Sequence, residues 1–99
     1  MSFVTTQPEM LSSAAGQLAG IGSEMKAQNT AAAAPTTAVV PAAADEVSAL
    51  AAAQFTSHAN IYQAISAHAT AIHDLFVSVL GASADSYATA EAANAICAS

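Results

Sequence analysis

Apolar residues recur at spacings of three and four in two long stretches of the chain, which is the period of an α-helix. One face of the first stretch consists of Leu11, Leu18, Ile21 and Met25. A strip of small residues beside it, which includes Gly16 and Gly20, is expected to allow close helix approach. The pattern predicts a first helix over about 7–34, ended by Pro35. Residues 35–41, rich in proline and β-branched side chains, are predicted to be a connector.

The residues before this stretch resemble a helix start. Thr6 is predicted to be the N-cap, and Glu9 to bond back to the N-cap amide in a capping box. Pro8 falls in the first turn, where its missing N–H costs no hydrogen bond. Glu9 also lies at the positive end of the helix dipole. We therefore expect Thr6, Pro8 and Glu9 to start a helix and not to carry out chemistry.

A second helix is predicted over about 42–80, ending before Gly81. Its most regular apolar face, named here the apolar stripe, consists of Phe55, His58, Tyr62, Ile65, Ile72, Phe76 and Val79. With its apolar neighbours the stripe covers an arc of about 160°, which is wider than one facing helix covers. The opposite side is expected to face solvent and holds Thr56, Ser57, Asn60, Gln63, Thr70, Asp74 and Ser78.

Residues 81–99 are small and weakly polar, and they are predicted to be a tail outside the apolar repeat that is either weakly helical or disordered. The chain is then a single domain over 1–99, all-α, built as a two-helix antiparallel hairpin. Such a hairpin has a poor core by itself. The wide stripe therefore favours a four-helix bundle that is completed by a partner protein.

The charge balance excludes several classes of function. Seven acids and one base, Lys26, leave a net charge of −6, so the chain lacks the cationic surface that nucleic acids or anionic headgroups require. Polar residues within 47–73 argue against a membrane span. The N-terminus also lacks the basic and apolar regions of a Sec signal peptide. Cys97, the single cysteine, cannot form an internal disulfide.

No arrangement of residues predicts catalysis, metal binding or a cofactor. His58, His68 and His73 do not have the four-residue spacing of metal pairs on a helix. His73 and Asp74 are adjacent and therefore point about 100° apart. We expect no catalytic residues, no metal and no cofactor.

Several short motifs occur together in an order that resembles the PE proteins of mycobacteria. They are the opening Met-Ser-Phe-Val, Pro8-Glu9, Ala-Ala-Ala-Pro-Thr-Thr at 32–37, Pro-Ala-Ala-Ala-Asp-Glu-Val-Ser at 41–48 and Tyr87-Ala-Thr-Ala-Glu91. The last fits the Tyr-x-x-x-Asp/Glu signal of type VII secretion substrates. The similarity covers essentially the whole chain, in the pattern of a stand-alone PE domain.

The resemblance implies a fold, a partner and a destination. PE domains are helical hairpins that pair with a PPE family protein as a four-helix bundle, and type VII secretion machinery exports the pair. A cytosolic chaperone of that system holds the PPE partner. The protein is then expected to be cytoplasmic before export and secreted or at the cell surface afterwards, acting on the envelope or the host. Tyr87 and Glu91 are expected to serve export and not assembly.

The apolar faces of both helices are the expected partner interface under this interpretation. The residues by themselves leave one alternative, a self-associating helical hairpin that works as a structural or adaptor module. Both readings expect a non-enzymatic protein whose isolated chain is not a stable monomer.

Overall fold

The structure, a computed structural model, describes residues 4–99 and is helical without strands in that range. Helix α1 spans Pro8–Thr37 and helix α2 spans Glu46–Ala98. The chain divides into two compact units: a terminal unit of Met1–Gly22 with His73–Ser99, and a middle unit of Ser23–Ile72. The first three residues of the opening Met-Ser-Phe-Val motif lie outside the described residues.

The start of α1 differs from the predicted capping box. The backbone N–H groups of Met10 and Leu11 donate to the carbonyl oxygen of Gln7 at 3.0 and 3.3 Å, which makes Gln7 the N-cap in place of Thr6. Pro8 is the first helical residue, where its fixed φ suits the helix and its missing N–H leaves nothing unpaired. Glu9 lies in the first turn, beside the positive end of the dipole.

The end of α1 lies at Thr37, past the predicted end before Pro35. A proline in the last turn removes only one helical hydrogen bond. The hydroxyls of the two threonines that follow donate to carbonyls of the preceding turn. Thr36 donates to Ala32 at 2.6 Å and Thr37 donates to Ala33 at 2.7 Å.

Helix α2 begins at Glu46 because Asp45 caps it, so the predicted start near 42 is too early and the connector covers 38–45. The Asp45 carboxylate accepts the N–H of Ser48 at 3.2 Å and its hydroxyl at 2.7 Å, and the Asp45 carbonyl accepts the N–H of Ala49. The bonds from Ser48 stabilise the charged carboxylate and lower the pKa of Asp45.

The predicted end of the second helix near residue 80 is wrong, because α2 continues without a break to Ala98, and residues 81–98 are helical, one of the two alternatives left open by the sequence. Gly81 lies inside the helix, and no described glycine has a positive φ. The segment after it is rich in alanine, the strongest helix former. Tertiary contacts also hold it: Ala84 is only 3% exposed, and Glu91 is half-buried.

Within the terminal unit, the helices approach closely at His73. Its Nε2 lies 2.7 Å from the carbonyl oxygen of Leu18, and because a carbonyl only accepts, the ring donates from Nε2. A Cβ on Gly22 would lie 2.6 Å from the ring's Cδ2 and 2.7 Å from its Nε2, so only glycine leaves room for the imidazole. At Gly16 and Gly20 a Cβ would meet nothing within 4 Å, so the predicted close approach is not at these two glycines.

Within the middle unit, Asn29 of α1 is the polar link to α2. The Tyr62 hydroxyl donates to Oδ1 of Asn29 at 2.7 Å, and Nε2 of Gln63 donates to the Asn29 carbonyl at 3.0 Å. The buried apolar side chains described in residues 4–99 are all alanines: Ala15 and Ala84 in the terminal unit, and Ala52 and Ala59 in the middle unit. The helices therefore meet through small side chains and hydrogen bonds.

Gly22→Ala is expected to lower stability by about 1–3 kcal/mol, the usual cost of overpacking. Alanine gains up to about 1 kcal/mol in helix propensity over glycine, but the new Cβ displaces His73 from Leu18. Thermal loss of the helical circular dichroism signal measures the change. Gly16→Ala is the matched control and is expected to be neutral or stabilising. Equal effects at both glycines would contradict the close approach at Gly22.

Acid is expected to weaken the cap of α2. Because the folded-state pKa of Asp45 is lowered, the cap's contribution is fully present above the ordinary aspartate pKa and is lost as pH falls through the lowered value. The chemical shift of the Ser48 amide proton should follow this titration. In Asp45→Ser, which caps without a titrating group, the same amide should show no transition in that range. If the substitution leaves the pH transition of the Ser48 amide unchanged, the transition belongs to a titrating group other than Asp45.

Candidate functional site

The apolar stripe predicted from the sequence lies on the exposed side of α2. In the middle unit Ile65 is 62% exposed and Ile72 is 68% exposed, and Phe55, His58 and Tyr62 are exposed as well. In the terminal unit Phe76 and Val79 are both 56% exposed. Contiguous apolar surface of this kind marks an interaction site on a protein.

The side of α2 that faces α1 includes three residues that the sequence assigns to solvent. Thr56, Gln63 and Thr70 are half-buried and share a helix face with the buried Ala52 and Ala59. Nε2 of Gln63 donates a hydrogen bond to the Asn29 carbonyl of α1, and the Thr70 hydroxyl donates to the Ser66 carbonyl at 2.9 Å. The prediction of a solvated side is therefore wrong for these three. The remaining members of that set are exposed: Ser57, Asn60, Asp74 and Ser78.

The large apolar residues of α2 lie outside while small and polar residues face α1, and this arrangement has a steric cause. Two helices approach closely only where side chains are small, as with alanine, or where longer polar side chains find a hydrogen-bond partner on the other helix. The large residues of the apolar stripe do not meet that condition. They lie on the outside, and α2 turns its small side inward.

The predicted interface residues of α1 lie in two environments. Leu11 and Leu18 are half-buried on the side of the buried Ala15. Ile21 and Met25 are 51% and 60% exposed, respectively. Ile21 and Met25 therefore present free apolar surface, whereas the two leucines already contribute to packing.

An apolar groove adjoins the stripe in the middle unit. It has a volume of about 430 Å³ and lies between Pro35 at the end of α1, Val39 of the connector, and Phe55, His58 and Tyr62 of α2. A concave, largely apolar surface of this size suits a bulky side chain of a partner.

Residues 87–91, the segment expected from the sequence to be an export signal and named here the signal segment, are a regular part of α2. Tyr87 and Glu91 are four residues apart and therefore neighbours on the helix surface. Tyr87 is 47% exposed. Oε1 of Glu91 accepts the backbone N–H of Thr6 at 2.8 Å and the Thr6 hydroxyl at 3.0 Å. The expectation that the segment takes no part in the packing of the chain is wrong for Glu91.

Chemistry-bearing side chains are scattered. In the part of the chain that the structure describes, no three His, Cys, Asp or Glu side chains form a group that could hold a metal ion. The His73 ring is engaged by Leu18, and the Cys97 thiol is free and exposed.

By length and composition α2 could cross a membrane, and its most apolar 18-residue stretch has no buried part. Length and composition alone are weak evidence for a span, because helices of water-soluble proteins meet the same criteria. The exposed apolar surface of α2 is the feature that both a membrane and a protein partner would use.

Sequence reasoning missed the contacts that join distant residues. Thr6 and Glu91 were each singled out by a separate motif, but neither motif pairs them. Gly22 and Asn29 carry no local signal, because their roles arise only when His73 and Tyr62 are placed against them. An antiparallel alignment of the two helices would have been needed to find these pairs.

Comparison with known sequences gives a family and several relatives. The model of the PE family matches residues 4–94. PE family protein PE13 of Mycobacterium tuberculosis is 62% identical over 99 residues, which cover all of both chains. PE family protein PE8 of that organism is 58% identical over 94 residues, which are 95% of this chain and 34% of that protein. PE-PGRS family protein PE_PGRS33 of the same organism is 59% identical over 95 residues, which are 96% of this chain and 19% of that protein.

Thr70→Asp is expected to destabilise the chain by about 1–3 kcal/mol, because it places a charge on the side of α2 that packs against α1. Ser78→Asp adds the same charge at an exposed position and should leave stability within about 0.5 kcal/mol. Thermal melting followed by circular dichroism compares the two. If Thr70→Asp melts at the same temperature as Ser78→Asp, this face of α2 is exposed to solvent and does not pack against α1.

Proposed function

Because the chain belongs to the PE family, we propose that it is a secreted, non-enzymatic interaction protein that forms an obligate heterodimer with a PPE family protein. The heterodimer is a four-helix bundle to which this chain contributes α1 and α2. A type VII secretion system exports the pair after a cytosolic chaperone has held the PPE partner. The complex then acts at the cell envelope or on the host.

The exposed apolar stripe is the observation that carries this proposal. Ile65 and Ile72 are more than 60% exposed while the contact between the helices buries only alanines among the described apolar side chains. A face that is apolar over several helical turns gains free energy when another apolar helix covers it, at roughly 25 cal/mol per Å². The largest apolar side chains of the stripe are therefore available for contacts with another protein.

A second copy of the chain is the other candidate occupant of the stripe, because an apolar face covers a like face as readily as a foreign one. The net charge of −6 on every copy opposes such a pair. The size of the purified chain by light scattering, alone and with a PPE protein, separates these readings. A monomer alone that melts sharply and cooperatively would contradict both.

Ile65→Asp is expected to abolish co-purification with the PPE partner. Loss of the apolar contact alone costs about 2–5 kcal/mol in a core, and a charge in a desolvated interface adds to it. Asn60→Asp is the matched control, since Asn60 is exposed but lies outside the stripe. Co-expression of tagged PPE protein with each variant, followed by affinity capture, measures the outcome. Equal capture of both variants would place the partner elsewhere.

A further inference from the structure

The contact between Thr6 and Glu91 joins the residue just before α1 to the acid of the signal segment. Both Thr6 donors, the backbone N–H and the hydroxyl, reach the same oxygen, Oε1 of Glu91, at 2.8 and 3.0 Å. The contact is partly buried, and it lies within the terminal unit.

The chemistry of this place favours a bound carboxylate. Thr6 lies at the N-terminal end of α1, where the helix dipole is positive and attracts an anion. Two donors on one charged oxygen form charge-assisted hydrogen bonds, which are stronger than neutral ones. Glu9 and Asp85 line the same cleft as Glu91, and their like charges would otherwise drive its carboxylate outward.

The position of Tyr87 makes this contact relevant to the signal. Tyr87 lies one turn before Glu91 on the same side of α2 and is 47% exposed. Helices fray from their ends, and α2 ends only seven residues after Glu91, at Ala98. A tertiary bond at Glu91 therefore holds the helical turn from which the Tyr87 ring projects.

We propose that Thr6 is a positioning residue for the export signal: it holds the Glu91 carboxylate, and this keeps the last turns of α2 helical and presents the Tyr87 ring. The acid of the signal then acts through Thr6, and the secretion receptor reads the tyrosine on a preformed helix. This inference rests on the proposed function and on the expectation from the sequence that Tyr87 and Glu91 direct export.

Two substitutions of similar shape isolate the hydroxyl. Thr6→Val keeps the volume and removes the hydroxyl, and Thr6→Ser keeps the hydroxyl and removes the methyl group. Each full-length variant is expressed with its PPE partner in mycobacterial cells that have the type VII system. The secreted fraction, the yield of heterodimer and its melting temperature are measured for each. Amide hydrogen exchange is followed across residues 87–98.

Thr6→Val is expected to lower the secreted fraction and to raise amide exchange in residues 87–98 about tenfold, the change that one hydrogen bond to a charged group makes in an equilibrium. Heterodimer yield and melting temperature should stay close to those of the parent. Thr6→Ser should export normally. Glu91→Ala removes the bond from the Thr6 backbone N–H as well and should raise exchange at least as much. Adding Thr6→Val to Glu91→Ala should change neither readout further, because the Thr6 hydroxyl then has no carboxylate to bind.

Several outcomes would overturn the positioning role. Normal export of Thr6→Val, while Tyr87→Ala stays inside the cell, removes Thr6 from the signal but leaves the proposed function standing. Additive effects of Thr6→Val and Glu91→Ala show that the two act separately. A fall in melting temperature with a proportional fall in export assigns Thr6 to stability alone. Normal export of Tyr87→Ala instead contradicts the assignment of the export signal to residues 87–91, on which the inference depends, whereas failure of the chain to pair with a PPE protein would contradict the proposed function.

Discussion

The two helices of this chain meet through small side chains, and the other features of the structure depend on that constraint. Alanine offers little area to bury, so the contact between α1 and α2 gains little from the hydrophobic effect. In return it lets the helix backbones approach closely. Leu11 and Leu18 of α1 are only half-buried beside this contact, and the large apolar side chains of the stripe lie on the outer side of α2, where Ile65 and Ile72 are largely exposed. The stripe is thus exposed because the small side of α2 is the side that packs against α1.

Hydrogen bonds fix the alignment of the two helices, as interlocking apolar side chains do in a larger core. In the terminal unit, His73 donates to Leu18 in the space that Gly22 leaves open. In the middle unit, Asn29 receives hydrogen bonds from Tyr62 and Gln63. Such bonds add little net stability, about 0.5–1.5 kcal/mol each, but a partly buried polar group left unpaired is costly. They therefore select one alignment of the helices over its neighbours.

The small amount of apolar surface buried between the helices also links the packing of the chain to its proposed export. A hairpin with few buried apolar side chains would gain stability when a partner covers the stripe, as in the proposed heterodimer. The signal segment needs no core of its own, because α2 continues through it and Thr6 holds Glu91. Under the proposed role of Thr6, this polar contact helps to present the segment on a regular helix.

Local signals in the sequence determined the two helices, the start at Pro8, the position of the apolar stripe and the family. Each depends on neighbouring residues: the 3-4 period, alanine propensity, proline geometry and short motifs. Three features were decided only by tertiary structure: α2 turns Thr56, Gln63 and Thr70 toward α1, it continues past Gly81, and Thr6 bonds Glu91 in place of capping α1. The usual rule that large apolar side chains face inward assumes that the chain contains its whole core. Here the width available between two helices decides which face turns inward, and partners such as Thr6 and Glu91 meet only after the helices are aligned.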